Sequence, residues 1–412
     1  MNSRSTQPSR RTLLGMLGAV PLGTGVVLTG AGVGHADDSA ATGTSGATAA
    51  HGPIPKGLRP GGEYDQLVAK LADEDTFSGV VRLTRRGRPV LERAYGMANK
   101  AESVPNRIDT LFDLGSITKC FTAVAVMQLE HQNKLDLHET VGTYLDGFQA
   151  DVADTVTVHQ LLTHTSGLGD YSQAEDFWAE SQKWNSFDEI FDGTLDVIRG
   201  LPDLVEFTPG TQWRYSNTGF FLLGAIVREV SGQDYYDYIK EHVFRRAGMK
   251  RSGFYTKPEV LAADDIARPY SVDRETGERI DSTTLEYFSY GGTPAGGAYS
   301  TAGELSTFVQ ALMDGRTLLP ATSVDLAISG KAVLGPDERP ELERQNSFYG
   351  YGFEVTTLND QRIRGHSGGS TLGVSTMLDF YPDLDWVAVS LSNYADRYWP
   401  MVNLERDLIT QQ

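Results

Sequence analysis

The chain has 412 residues, 22% of them charged, a formal net charge of -18 at neutral pH and a single cysteine, Cys120. So acidic a chain repels nucleic acid and anionic lipid, and one cysteine excludes an internal disulfide, so the fold has to rest on its core. About 360 residues remain beyond a leader-like N-terminus, enough for one large or two interleaved domains.

Ser9-Arg10-Arg11-Thr12-Leu13-Leu14 is a twin-arginine pattern, followed by a Gly-rich, mildly apolar stretch from Leu13 to Val33 and the small-residue end Gly34-His35-Ala36. This predicts a cleaved bacterial export signal over residues 1–36, a flexible linker over 37–58, a folded domain over 59–412 and a secreted or extracytoplasmic location. Loss of Arg4, Arg10 and Arg11 would leave the mature chain more negative still. No later segment has the length and apolarity of a membrane-spanning helix, so no stable membrane insertion is expected after the signal is removed.

From Phe77 the pattern reads strand, turn, strand: Gly79 to Leu83, the turn Arg86-Gly87-Arg88-Pro89, then Val90 to Gly96. Cys120 to Leu129 is an apolar and small-residue run without Gly or Pro, long enough for a buried helix in which Cys120 packs rather than reacts. Between Lys134 and Gly232 the pattern is mostly helical with long loops. Within it, Asp170 to Asp196 carries Trp178, Trp184 and Phe187 among polar residues, as a pocket wall or lid would, or as ordinary surface. Further helices are expected at Phe220 to Val230, Tyr235 to Arg246, Ala302 to Met313 and Asn403 to Ile409. Strands are expected at Gly352 to Thr357, Gln361 to His366, Val374 to Tyr381 and Trp386 to Asn393. The predicted class is α+β, an antiparallel sheet flanked by terminal helices, with an inserted, mostly helical lobe and the active site between them. The histidines show no metal-ligand spacing, and neither a metal nor a cofactor is expected.

Ser116 is followed three residues later by Lys119, at the head of the buried helix pattern. A serine hydroxyl needs a neighbouring base, and a neutral amine one helical turn away can serve. The first turn of a helix also offers free N–H groups to an oxyanion. Two further clusters follow in order. One is Thr208-Pro209-Gly210 leading into Tyr215-Ser216-Asn217, and the other is Gly365-His366-Ser367-Gly368-Gly369 at the end of a strand. The latter also fits the nucleophile elbow of α/β-hydrolases, with Ser367 as nucleophile. That reading needs a helix next and a later histidine, whereas a strand pattern follows and His366 is the last histidine.

Together the three clusters resemble the Ser-x-x-Lys, Tyr-x-Asn and His-x-Gly motifs of the serine β-lactamase and penicillin-binding protein superfamily. The branch is that of class C β-lactamases, D-alanyl-D-alanine carboxypeptidases, D-aminopeptidases and related esterases. Thr157 to Leu168 and Pro294-Ala295-Gly296-Gly297 resemble recurrent blocks of the same branch, and the likeness spans about residues 60 to 400. The resemblance implies that Ser116 forms an acyl-enzyme and that Lys119 and Tyr215 share its proton, with Tyr215 also protonating the leaving group. It implies further that Asn217 holds the substrate amide, that His366 orients Tyr215 or touches the substrate, and that the N–H groups of Ser116 and Gly369 form the oxyanion hole. His164 lies outside the motifs and is read as structural.

The implied function is a secreted, D,D-peptidase-like serine hydrolase of small peptides or amides. An esterase or D-aminopeptidase is the alternative, and a β-lactamase or a non-catalytic penicillin-binding protein stands behind these. His366 replaces the lysine usual in class C β-lactamases. Glu354 stands where the His-x-Gly carboxypeptidases carry an arginine for the substrate's carboxylate. Three readings stay open: Arg362 or Arg364 substitutes for that arginine, Glu354 attracts a cationic amine, or Glu354 points into solvent.

Overall fold

The computed structural model describes residues 52–175, 177–273, 275–334, 346–395 and 399–411. The predicted signal and most of the linker lie outside the described residues. The end of that linker does not: Ile54 and Leu58 pack into the core, so the folded unit takes in residues assigned above to the linker. Among the described residues no helix is long and apolar enough to cross a membrane.

The expected hairpin forms as β1 (Gly79–Arg85) and β2 (Arg88–Tyr95). Arg86 and Gly87 between them both take positive φ, 52° and 70°, the backbone of a tight two-residue hairpin turn. The other strands of the main sheet come from the C-terminal part: β3 (Ala332–Val333), β4 (Asn346–Tyr349), β5 (Glu354–Leu358), β6 (Gln361–Ser370), β7 (Val374–Tyr381) and β8 (Trp386–Ser392). Their order is β3-β4-β5-β6-β7-β8-β1-β2, all neighbours antiparallel, and β8 is joined to β1 with Gly79 opposite Ser392.

Because strand side chains alternate, the sheet buries two faces. Val81, Leu83, Met377, Tyr381, Trp386 and Ala388 pack with residues of the terminal helices α1 (Glu63–Asp73) and α6 (Trp399–Thr410). Val80, Leu378, Phe380, Val387, Val389 and Leu391 face the helical lobe. That lobe contains α2 (Thr118–His131), α3 (Phe187–Gly200), α4 (Asn217–Ser231) and α5 (Ala302–Met313). Every residue of α2 from Thr118 to Leu129 is buried, which explains a run with little amphipathic period. Cys120 is a packing residue, its sulfur 3.2 Å from the Gly352 carbonyl.

Two expectations shift. The helix expected over Tyr235 to Arg246 is α-helical only from Tyr235 to Tyr238 and widens to a π-turn over Ile239–Arg245, where the Gln128 side chain of α2 bonds the His242 carbonyl at 3.0 Å. The Gly365 to Gly369 cluster lies inside β6 rather than at its end, because pairing with β7 continues to Ser370 opposite Val374. Ser367 is therefore a mid-strand residue followed by another strand, and the nucleophile-elbow reading falls.

Candidate active site

Ser116 sits in a 3-10 turn, Gly115–Ile117, that runs directly into α2. Its position is set from three sides. Leu114 N–H donates to the Ala298 carbonyl at 2.8 Å, Thr118 Oγ1 donates to the Gly115 carbonyl at 2.7 Å, and Thr376 Oγ1 on β7 donates to the Leu114 carbonyl at 2.8 Å. Gly115 takes φ +51°, and a Cβ there would lie 2.9 Å from the Gly369 nitrogen. A Cβ on Gly368 would lie 2.0 Å from the Leu114 carbonyl oxygen. The two glycines let the serine turn lie against β6, which brings the backbone of Ser116 and Gly369 to one cleft, where an oxyanion hole needs them.

Lys119 is wholly buried, and its Nζ lies 3.1 Å from Ser116 Oγ, 2.9 Å from Asn217 Oδ1 and 2.5 Å from the Ala295 carbonyl oxygen. Asn217 Nδ2 donates to Asp170 Oδ2 at 2.8 Å, which fixes the amide so that its oxygen faces Lys119. Two of the three partners can only accept. A neutral amine gives its two hydrogens to them and turns its lone pair to the serine hydroxyl. Burial supplies the neutral form, since desolvation pushes the Lys119 pKa down to about 7, opposed by the Asp170 carboxylate.

Tyr215 lines the same cleft as Ser116, with its ring centre 4.7 Å from Lys119 Nζ and 4.3 Å from the tilted ring of His164. His164 is structural, as expected, and it anchors the second motif. Its Nδ1 accepts from Ser216 N–H at 3.1 Å, and its carbonyl accepts from Arg214 N–H at 2.9 Å. Burial holds its pKa well below the usual imidazole value, so the ring stays neutral. His366 is buried on β6, its Nε2 2.8 Å from Tyr349 Oη and its Nδ1 2.5 Å from the Ser367 carbonyl. That carbonyl can only accept, so Nδ1 carries a hydrogen. The His366 ring lies 6.5 Å from that of Tyr215, and both border the cleft.

Ser116 opens on two clefts. The larger, about 1050 Å³, is lined by Tyr215, Trp213, His366 and the end of β6, and the charged groups among its described lining, His366 aside, are Asp273 and Glu275. The smaller, about 300 Å³, is lined by Asn217, Tyr171, Phe177 and Trp178 on one wall and Lys257, Phe288 and Tyr290 on another. Only the start of the Asp170 to Asp196 segment, through Trp178, is thus a pocket wall; Trp184 and Phe187 border neither cleft.

The structure closes all three readings of Glu354. Glu354 is buried rather than solvent-facing, its Oε1 accepts from the Ser367 hydroxyl at 2.7 Å and lies 3.9 Å from His366 Nδ1, and it is not among the described residues lining either cleft. Arg362 is paired with Asp383 at 2.5 and 2.8 Å, and Arg364 Nη1 donates to the Thr356 and Ile363 carbonyls. Neither arginine borders the clefts.

Among the described residues no group of His, Cys, Asp and Glu could hold a metal ion. Sequence reasoning missed two contributors, the Asp170 carboxylate and the Ala295 carbonyl. Ala295 belongs to the Pro294 to Gly297 block already singled out, whereas Asp170 reaches Asn217 only through the tertiary fold. Asp170→Ala frees the Asn217 amide and removes a negative charge near Lys119. It is expected to lower kcat about tenfold and to shift the midpoint of the pH profile to lower pH, read by steady-state kinetics from pH 5 to 9.

A Ser-Lys pair at a helix start, a Tyr-x-Asn turn and a strand with His-x-Gly converge on one cleft between a sheet and a helical lobe, the arrangement of a serine hydrolase of the β-lactamase and penicillin-binding type. The family model described as Beta-lactamase matches residues 64–409, and the chain belongs to that family. Esterase EstB of Burkholderia gladioli is 28% identical over 383 residues, covering 84% of this chain and 93% of the esterase. The crystal structure of a penicillin-binding protein from Bacillus halodurans superposes with a TM-score of 0.72 at 28% identity, covering 83% of this chain and 98% of that one. A D-stereospecific amidohydrolase from Streptomyces sp. superposes with a TM-score of 0.67 at 25% identity, again over 83% and 98%.

Proposed function

We propose that the chain is an exported hydrolase that works through an acyl-enzyme on Ser116 and cleaves small esters and amides, including amides of D-residues. The observation that carries this reading is the Lys119 amine, 3.1 Å from Ser116 Oγ with its other two contacts on acceptor-only oxygens. Lys119 takes the hydroxyl proton as Ser116 Oγ bonds to the carbonyl carbon, and the carbonyl oxygen, now an oxyanion, receives the N–H groups of Ser116 and Gly369. Tyr215, beside Lys119, passes a proton to the leaving group, whose bond to carbon breaks. Water then attacks the acyl carbon and gives a proton to the Tyr215 and Lys119 pair; as the bond from that carbon to Ser116 Oγ breaks, the pair returns the proton to Oγ, releasing the acid and free Ser116.

Tyr215 faces the larger cleft, so the leaving group lies there and the acyl portion lies in the smaller one with Asn217. The described lining of the leaving-group cleft carries Asp273 and Glu275, whose carboxylates repel another carboxylate, and this favours leaving groups without one over a D-alanyl-D-alanine carboxypeptidase. Similarity to an esterase and to a D-stereospecific amidohydrolase supports the same range. The twin-arginine pattern at Arg10 and Arg11 supports export.

The test is hydrolysis of simple esters and of an acyl-D-Ala-D-Ala peptide as free acid and as amide, with Ser116→Ala as control. Esters are expected to turn over, the free acid to gain no advantage over the amide, and all activity to vanish in Ser116→Ala. Clear preference for the free acid would restore the carboxypeptidase reading, and ester turnover surviving in Ser116→Ala would remove Ser116 as nucleophile.

A further inference from the structure

The smaller cleft carries an amine that the reaction does not use. Lys257 begins the short helix Lys257–Ala262, and a capping box fixes that start: Thr256 Oγ1 accepts from Glu259 N–H, and Glu259 Oε2 accepts from Thr256 N–H at 2.7 Å. The same Oε2 also accepts from the Thr256 hydroxyl at 2.7 Å, so the Glu259 carboxylate is engaged at the cap. Lys257 N–H is tied to the Tyr290 carbonyl at 2.6 Å, and its ammonium rests 5.6 Å from the centre of the Phe288 ring. Among the described residues the ammonium makes no ion pair. The one carboxylate in the described lining of this cleft, Asp113, is turned to the Gly115 N–H at 2.7 Å, and burial raises its pKa to about 6.

The walls around Lys257 are aromatic, with Tyr171, Phe177, Trp178, Tyr255 and Tyr290 on the same cleft. A half-buried cation beside a ring, with no ion pair among the described residues, is left to attract an arriving anion. In a chain of net charge -18 such a group stands out against a repulsive background. The aromatic walls accept the carbon chain, and the ammonium accepts what ends it.

We propose that Lys257 is the specificity-determining residue of the acyl side, and that the enzyme selects acyl groups ending in a carboxylate, as in half-esters and half-amides of dicarboxylic acids. This rests on the reading of Ser116 as nucleophile and of the smaller cleft as the acyl site. It assigns opposite characters to the two sides of the scissile bond, an anion on the acyl side and none on the leaving group.

The test compares the p-nitrophenyl half-esters of glutaric and adipic acid with the same esters carrying a terminal carboxamide, after subtraction of the enzyme-free rate. The wild type is expected to prefer acid over amide by about tenfold or more in kcat/KM, chiefly through KM. Lys257→Met is expected to bring that ratio near one, and Lys257→Glu to invert it. No acid preference in the wild type, or the same preference in Lys257→Met, overturns the proposal. A second measurement needs no turnover: titration of Ser116→Ala, with and without Lys257→Met, against monoethyl adipate and its carboxamide counterpart. Tighter binding of the acid that is lost with Lys257 supports the proposal even if every ester resists hydrolysis, an outcome that would fail the hydrolase reading alone. Equal binding of acid and amide overturns it.

Discussion

Lys119→Met is expected to lower kcat by about a thousandfold or more on any substrate the enzyme turns over, with the fold intact. Methionine is one atom shorter than lysine but unbranched and of nearly the same volume, so the packing of α2 survives. It leaves Asn217 Oδ1 and the Ala295 carbonyl without a donor, at a cost of about 1–3 kcal/mol for each buried acceptor. That cost is offset in part because a buried amine no longer has to be desolvated. Lys119→Arg is expected to be as inactive, since a guanidinium stays protonated and has no lone pair for the serine. The pH dependence has a definite sign. Burial lowers the lysine pKa to about 7, so below that pH the ammonium has no lone pair and above it the amine is free. In the wild type kcat/KM should therefore rise with pH through a midpoint near 7. A flat profile between pH 6 and 8, measured on an ester with a non-ionising leaving group, would remove Lys119 as the base.

Gly368→Ala is expected to remove at least two orders of magnitude of kcat, the loss seen when one oxyanion donor is displaced. The reason is steric. The added methyl would sit 2.0 Å from the Leu114 carbonyl oxygen and 2.3 Å from Thr376 Oγ1, and the nearer of these is backbone that cannot swing aside. The serine turn and β6 must part, which pulls the Ser116 and Gly369 N–H groups out of register and breaks the Thr376 bond to Leu114. Stability should fall as well, so circular dichroism and melting should accompany the kinetics. Gly369→Ala is the informative control, because a Cβ there meets only the Val374 carbonyl oxygen at 3.7 Å. It adds bulk at the cleft without forcing the backbones apart and should retain more activity than Gly368→Ala. Equal loss in both would show that the close approach is not what sets the geometry.

The chemistry of the site was largely legible because its motifs are local. Ser116 and Lys119 are one turn apart, and Tyr215 and Asn217 flank a single helix start. Elements with strong periods were legible too: Val374 to Tyr381 and Ala302 to Met313 form with the bounds their patterns predict. What escaped is what only tertiary structure brings together. Asp170 joins Asn217 across 47 positions. Ala295 acts through a carbonyl that every residue possesses, so no residue type announces it. Glu354 shows the limit of strand periodicity, which assigns a face to a side chain but not the partner it meets there. Its carboxylate is taken by Ser367 on the neighbouring strand, and no pattern along β5 alone reveals that. Nothing in the sequence around Lys257, a lysine before Pro258, marks it, and only the fold places it on the smaller cleft.

The pairing of Gly79 with Ser392 makes this a fold that is slow to become itself. Synthesis runs at about 5–20 residues per second, so the β1 and β2 hairpin emerges tens of seconds before the strand that will cover its open edge. Through that interval a bare, valine-rich edge is available to other chains, and the long loop to be closed slows folding further. Completion of the sheet is therefore a post-synthetic event. A chain truncated before β8 cannot settle into a smaller version of the enzyme, and it should accumulate as aggregate rather than as a soluble fragment.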